Sequence, residues 1–178
     1  MSKEPTVYDV TYCALDYETT GLNPHRHEVV EVAAVRFNLL DKREKIFCHL
    51  VKPRTRIPKD ATAIHGITNE MVARQPSFRE MRVLIQDFIG ESVVVAHNIG
   101  FERRFSRGII DNNRQADTYF LSRKWLQSEN YRLSTLVEGN GSWHRALPDA
   151  IACKDLFKDL VETIKKRTGS VALREVLS

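Results

Sequence analysis

The chain has 178 residues, of which 42% are hydrophobic and 28% are charged, and its formal net charge is +4. This length suits roughly one domain, and the composition excludes a disordered chain, a collagen and a coiled coil. No apolar run approaches the roughly 20 residues of a membrane-spanning helix, and the first residues lack the apolar core of a signal peptide. We therefore expect a cytoplasmic protein with no membrane partner and with a single domain over residues 1–178.

Cysteine usage agrees with a reducing compartment. The three cysteines are odd in number, and no two have the C-x-x-C spacing of a zinc or redox site; they are Cys13, Cys48 and Cys153. We expect buried thiols and no disulfide framework.

The first half of the chain has mostly strand patterns. Alternating apolar and β-branched residues predict three strands in a row, at residues 10–18, 28–38 and 44–51. Short connections between them indicate an antiparallel meander. Apolar residues at helical spacing then predict a helix over 77–89, where Ser77 and Glu80 form a capping box and Gly90 ends the helix.

In the second half, strands alternate with helices. The apolar run at 92–96 predicts a strand buried on both faces. Further patterns predict a helix at 100–107, a short strand running into a helix within 117–127, a helix at 134–138 and a long amphipathic helix at 147–167. Together these patterns predict an α/β fold with a mixed central sheet flanked by helices.

Three short patterns contain candidate catalytic residues. Asp16 and Glu18 lie two apart on a strand, so both carboxylates project to one face, and carboxylate oxygens are natural ligands of Mg²⁺ or Mn²⁺. Glu102 follows the buried strand at 92–96, in the first turn of the next helix. His144 lies on a loop several residues before the long helix, and Asp149 lies at that helix's start. Taken singly, each pattern is also typical of ordinary solvated acids and a surface histidine.

In this order the patterns resemble the DEDDh 3′–5′ exonucleases, the DnaQ-like branch of the RNase H-like fold, which includes the proofreading epsilon subunit of bacterial DNA polymerase III. The resemblance covers nearly the whole chain. It rests on LDYETTGL at 15–22, IHGIT at 64–68, HNIGF at 97–101 and HRALPDA at 144–150. The one departure is Glu102, which stands where the family has Asp and adds one methylene to the side chain.

The resemblance implies a site with two divalent cations, Mg²⁺ or Mn²⁺. Asp16 would bridge them, Glu18 and Asp149 would hold one, and Glu102 would serve the other. His144 would act as the general base. The 3′-terminal nucleotide would contact residues of the four motifs and of the turn after the first strand: Thr19, Thr20, Leu22, His65, Asn98 and Phe101.

Three functions remain open at this point. The first is a metal-dependent 3′–5′ exonuclease on single-stranded ends, with DNA preferred, which releases nucleoside 5′-monophosphates in proofreading, repair or trimming. The second is an RNA 3′-end exonuclease, because oligoribonucleases share these motifs. The third is a weakly active module that binds nucleic-acid ends or a polymerase, and Glu102 is its main support. A DNA polymerase is accordingly a further candidate partner beside single-stranded 3′ ends.

Overall fold

The computed structural model describes residues 4–137 and 144–178. Its centre is a five-stranded sheet in the order β3-β2-β1-β4-β5. The strands are β1 (Tyr12–Thr19), β2 (Val29–Phe37), β3 (Lys45–Leu50), β4 (Val93–Ala96) and β5 (Gln115–Asp117). The helices are α1 (Lys59–His65), α2 (Asn69–Val72), α3 (Phe78–Ile89), α4 (Ile99–Ser106), α5 (Thr118–Trp125), α6 (Leu133–Leu136) and α7 (Ala146–Thr168), followed by a short 3₁₀ helix, Leu173–Glu175.

The sheet is mixed. Strand β1 pairs antiparallel with β2, and β2 pairs antiparallel with β3, as the predicted meander requires. Strand β4 pairs parallel with β1, and β5 pairs parallel with β4. These parallel connections need crossovers, which α3 and α4 supply. The predicted mixed sheet flanked by helices is confirmed.

The long helix α7 covers one face of the sheet. Tyr12 and Ala14 of β1 point to this face, where the ring of Tyr12 packs on that of Phe157 at a centroid distance of 4.9 Å. Since side chains alternate along a strand, Asp16 and Glu18 extend the same row toward the end of β1. The apolar contact therefore places two carboxylates beside the beginning of α7.

Helices α3 and α4 cover the opposite face. Leu15 and Tyr17 of β1 pack there with Ile85 of α3 and Phe105 of α4. The capping box predicted for α3 is present, because Ser77 accepts from the backbone of Glu80 and the Glu80 carboxylate accepts from the backbone of Ser77. The two faces of β1 thus have different roles at its end, with acids on one side and an aromatic ring on the other.

Most predicted elements lie within two residues of their observed bounds. The short helices α1 and α2 were not predicted, and β5 ends at Asp117 rather than beginning there. The predicted helix at 134–138 is observed as Leu133–Leu136, and residue 138 lies outside the described residues. Cys13 and Cys153 are buried as expected, whereas Cys48 is only partly buried. Of the helices in the described ranges, none has the length and apolar character to cross a membrane.

Candidate active site

Three carboxylates meet where β1 ends and α7 begins. Asp16 and Glu18 come from β1, and Asp149 comes from the first turn of α7. One oxygen from each lies within 4.8 Å of the others. All three side chains are partly buried. The geometry therefore brings together three of the acids that the sequence selected.

The fourth acid, Glu102, adjoins this cluster without being one of the three. It lies in the first turn of α4, its side chain is only 4% exposed, and it is the strongest charged neighbour of Asp16. Its Oε2 atom is buried and has no hydrogen-bond partner among the described residues. A buried carboxylate oxygen without a donor is costly unless it is protonated or meets a cation.

Burial and mutual repulsion disfavour the ionised form of these acids. Burial raises the pKa of Asp16 well above its ordinary value, and Glu102, Glu18 and Asp149 raise it further. Burial also raises the pKa of Glu18 to about 8 and that of Glu102 to about 8. The pKa of Asp149 rises for the same reason, although the backbone N–H of His144 opposes the change. Near neutral pH these acids therefore favour the protonated form unless a positive charge lies beside them.

The donor set fits divalent cations that prefer oxygen ligands. Four carboxylates face one region, and Glu102 Oε2 and Asp149 Oδ1 are buried without a hydrogen-bond partner in the described parts of the chain. Hard cations such as Mg²⁺ and Mn²⁺ take such oxygens. Cations there would both satisfy the unpartnered oxygens and offset the repulsion between the acids.

A buried ion pair fixes the start of α7. Glu31 of β2 is 2% exposed and accepts from Arg145 Nε at 3.0 Å, from Arg145 Nη2 at 2.6 Å and from the backbone N–H of Ala146 at 2.9 Å. These three bonds hold the residues just before Asp149. No motif marks Glu31, although an acid within the apolar run VVEVAAV is the kind of signal that indicates a buried partner.

His144 lies closer to α7 than the sequence suggested, only two residues before its first residue. Its backbone has φ of 65°, a left-handed conformation that is uncommon outside glycine. The N–H of His144 donates to Asp149 Oδ2 at 3.1 Å, and its side chain is exposed. The histidine is therefore tied to the carboxylate cluster through its backbone while its imidazole remains accessible.

A cavity of about 660 Å³ opens beside these residues, and His144 and Asp149 form part of its wall. The other lining residues follow β4, lie in the first turn of α5 or belong to the segment around α6: His97, Asn98, Tyr119, Tyr131, Arg132, Leu133 and Ser134. Tyr119, Tyr131 and Arg132 were not identified from the sequence, because no motif marks that segment. Aromatic rings and a cation beside the acids suit a nucleotide.

The side chains of His97 and Asp117 form hydrogen bonds that hold the cavity wall in place. The two ring nitrogens of His97 lie 2.9 Å from Thr118 Oγ1 and 2.8 Å from the carbonyl oxygen of Tyr131. The Asp117 carboxylate accepts from the backbone N–H groups of Asn98 and Ile99 and also caps α5. Asn98 itself has φ of 78°, so the wall contains a second non-glycine residue in the left-handed region.

The predicted substrate residues Thr19, Thr20 and Leu22 follow β1 directly. Thr19 Oγ1 donates to the carbonyl of Gly21 at 2.8 Å, and Thr20 Oγ1 accepts from the N–H of Glu28 at 3.0 Å. Both threonine hydroxyls therefore stabilise the turn at residues 20–28. Leu22 is 81% exposed on that turn, which leaves its apolar side chain open to a partner.

His65 and Phe101 are less accessible. His65 is buried, its Nδ1 accepts from the N–H of Ile67 at 3.0 Å, and burial lowers its pKa even though the backbone of Thr19 beside it acts in the opposite direction. The ring of Phe101 is partly buried and packs on Phe105 at 4.7 Å. The structure thus places His65 next to the end of β1, whereas Phe101 belongs partly to the core.

Curated relatives match nearly the whole chain in sequence. A chain named DNA polymerase III PolC-type from Thermotoga maritima is 34% identical over 180 residues, which cover 93% of this chain and 13% of the relative. Chains named DNA polymerase III subunit epsilon are 31% identical in Treponema pallidum, over 90% of this chain and 80% of the relative, and 32% identical in Aquifex aeolicus, over 90% and 85%. This chain therefore spans about one eighth of the PolC-type relatives and about four fifths of these epsilon relatives.

Solved structures show the same fold. Exonuclease X in complex with 5′ overhanging duplex DNA superposes with a TM-score of 0.72 at 29% identity, over 90% of this chain and 95% of that one. Escherichia coli Exonuclease I in complex with a dT13 oligonucleotide superposes with a TM-score of 0.74 at 20% identity, over 89% and 42%, which supports the RNase H-like fold alone. The family model described as RNase_T, exonuclease, matches residues 13–157. On its fold, its acids and this match, the chain belongs to the exonuclease family.

Proposed function

We propose that this protein is a metal-dependent 3′–5′ exonuclease that hydrolyses the terminal phosphodiester of single-stranded nucleic acid, with DNA as the preferred substrate. The observation that carries the proposal is the cluster of unpaired carboxylates at the end of β1, next to an accessible histidine and an open cavity. The products are nucleoside 5′-monophosphates. Family membership and the named relatives support the same reaction.

The four acids hold divalent cations in this proposal. Asp16, Glu18 and Asp149 offer the clustered oxygens, and Glu102 offers its unpartnered Oε2. Cations held by these four acids would supply the positive charge that polarises a phosphate and stabilises an in-line displacement. We include Glu102 among the cation-binding residues because its buried Oε2 has no hydrogen-bond partner among the described residues and its charge acts on Asp16.

His144 is the general base. Its imidazole is exposed at the cavity wall, while its backbone N–H is fixed to Asp149. An imidazole nitrogen can take the proton of the attacking water as the oxygen–phosphorus bond forms. Glu31 acts through Arg145 by fixing the start of α7, so it is a positioning residue rather than a catalytic one.

The turn after β1 and the beginning of α4 hold the last nucleotide. Leu22 offers an exposed apolar side chain to the terminal base, and Phe101 offers the accessible part of its ring. Backbone groups of Thr19 and Thr20 lie at the turn where a 3′-hydroxyl would be recognised, with His65 and Asn98 as polar neighbours. These contacts are independent of base identity, as an exonuclease requires.

DNA is favoured because the solved relatives carry it and the curated relatives are polymerase III chains. Exonuclease X is named in complex with DNA, and the epsilon and PolC-type chains are named as parts of DNA polymerase III. We extend this to a DNA polymerase as a candidate partner of this chain.

Release of the 3′-terminal nucleotide from a labelled single-stranded oligonucleotide of about 20 residues tests the proposal, with Mg²⁺, Mn²⁺ or EDTA. We expect metal-dependent release of 5′-monophosphates by the native chain and none by Asp149→Ala. The exposed Asp87→Asn variant is the matched control, because it also removes an acid but lies on α3. Retained turnover by Asp149→Ala contradicts the assignment. Faster release from a matched RNA than from DNA reassigns the substrate to RNA ends.

A further inference from the structure

A strongly basic groove lies outside the carboxylate site. One depression, of about 390 Å³, is lined by the cations Lys52, Arg54, Arg79, Arg82 and Arg107, with apolar side chains among its other walls. A second, of about 450 Å³, is lined by Arg54, Arg104 and Arg107 together with Pro24 and His25. Because the two depressions share Arg54 and Arg107, they form one continuous surface. We call the surface with these six cations the basic groove.

Most of this charge is not neutralised by the protein. Arg54 bonds the Glu28 carboxylate through Nε and its own backbone N–H, both at 2.7 Å, and Arg82 Nη1 donates to the carbonyl of Arg107 at 2.8 Å. Among the described residues, the remaining four side chains form no ion pair or hydrogen bond; they are Lys52, Arg79, Arg104 and Arg107. All four are exposed. Several unpaired cations lining one groove favour a polyanion over a single ion or an apolar partner.

The groove lies on the other side of β1 from the acids. Its walls come from α3 and α4, which cover the face of Tyr17, whereas Asp16 and Glu18 point toward α7. The turn at residues 20–28 contributes Pro24, His25 and Glu28 to the groove. The Glu28 N–H donates to Thr20 Oγ1, which connects this lining to the end of β1, and Leu22 is exposed on the same turn.

A 3′ end held at the acids has the cavity lined by His144 and Asp149 beside it, which gives the cleaved strand its own surface. That cavity and the basic groove have no lining residue in common. The groove is therefore free to bind the phosphates of a second strand. The structural relative Exonuclease X is named in complex with duplex DNA that has a 5′ overhang, a substrate in which a second strand continues past the 3′ end.

We propose that the basic groove binds the phosphates of the uncleaved strand when the 3′ end belongs to a duplex with a 5′ overhang. Arginine forms bidentate bonds to phosphate oxygens, and such contacts depend on the backbone and not on sequence. The inference rests on the proposed function, since it supposes that a 3′ end occupies the acidic site. It adds a second substrate form and a binding surface for it.

The test compares two substrates that share one labelled strand. In the first the strand is single, and in the second it is annealed to a complement that is longer at its 5′ end. The variant is Lys52→Ala/Arg79→Ala, which removes two exposed, unpaired cations that line the groove. The control is Lys166→Ala/Arg167→Ala, at the far end of α7, roughly 25 Å along the helix from Asp149.

We expect KM for the overhanging duplex to rise about 10-fold in the groove variant, and the salt dependence of binding to weaken by about two phosphate contacts. Neither the single strand nor the control variant should show this change. An equal rise on both substrates would assign the groove to the cleaved strand and overturn the proposal. No change on the duplex would remove the groove as a binding surface.

Binding measured without turnover separates this proposal from the proposed function. Fluorescence anisotropy of the labelled duplex in EDTA reports the groove even in a protein that hydrolyses nothing. Weaker duplex binding by the groove variant alone supports the groove, whatever the activity assay shows. Equal binding by the native chain and the variant, with equal melting temperatures, contradicts it.

Discussion

Two glutamates directly opposite each other on paired strands have opposite environments. Glu18 of β1 and Glu31 of β2 are register partners. Glu31 is saturated by Arg145 and the Ala146 N–H, whereas Glu18 faces Asp16 and Asp149 and has a pKa raised to about 8. One glutamate therefore stabilises the fold, and the other is held in a state that favours cation binding. The presence or absence of a cationic partner therefore distinguishes the two acids without any motif.

The largest expected effect follows from removing an unpaired acid. Asp16→Asn keeps the shape of the side chain but removes a charge from the cluster. We expect hydrolysis to fall by about 10³-fold or more, because the cations lose a shared ligand. Without added metal, the same variant should melt at a higher temperature than the native chain, because repulsion is relieved. A loss of both activity and metal-free stability would show that Asp16 is structural.

The paired acid should behave in the opposite way. We expect Glu31→Ala to lower the free energy of unfolding by about 1–3 kcal/mol, since it leaves the buried Ala146 N–H without its acceptor and removes both bonds that hold Arg145 at the start of α7. The matched control is Glu28→Ala, which breaks the pair with the largely exposed Arg54 and should cost about 0–1 kcal/mol. Urea unfolding of both variants measures the difference. Equal costs would contradict a special role for Glu31.

Glu102 sharpens the comparison because it is buried and its Oε2 atom has no hydrogen-bond partner among the described residues. Glu102→Asp withdraws the carboxylate by about one methylene and leaves a small gap beside α4. We expect kcat to fall by about 10-fold. Misplacing a catalytic group by roughly 1 Å can cost about 10²-fold in rate, and the shorter aspartate recovers part of that loss if the backbone of α4 adjusts. The melting temperature in EDTA should change little. A rise in kcat would instead show that the native glutamate impairs the site.

The last effect is a pH dependence of stability. Burial raises the pKa of Glu18 and of Glu102 to about 8, well above the ordinary carboxyl value near 4.3. Between these values the folded state binds more protons than the unfolded state, so its stability falls as the pH rises. In EDTA we expect the melting temperature to drop by about 10 °C or more from pH 5 to pH 8. Mg²⁺ should restore more stability at the higher pH; equal restoration at both would contradict the linkage.

Much of the fold was predictable because its elements are strongly patterned. The strand meander, the capped helix α3 and the long α7 all have clear periodicity, and their bounds agree within two residues. The helices α1 and α2 were missed because they have seven and four residues, too few for a helical repeat to be recognised. Their placement depends on packing and on the Thr68 cap rather than on local pattern.

The site was predictable to the extent that short motifs mark it. Asp16, Glu18, His144 and Asp149 were selected from spacing and resemblance, and the structure brings them together. Glu31 and Tyr119 could not be selected in the same way, because no motif includes them. Glu31 pairs with Arg145, and Tyr119 lines the same cavity as His144, and in both cases the other residue is distant in sequence. Long-range contacts of this kind have no motif, and the one local signal for Glu31 is an acid within an apolar run, which does not name its partner.

The left-handed backbone at Asn98 and His144 has a consequence for laboratory evolution. Each residue occupies a conformation that glycine adopts with less strain, and each borders the cavity. A screen that rewards only heat resistance would therefore enrich His144→Gly along with Asp16→Asn, and so would accumulate inactive molecules. Improving this protein without losing its chemistry requires that every round of selection also score turnover.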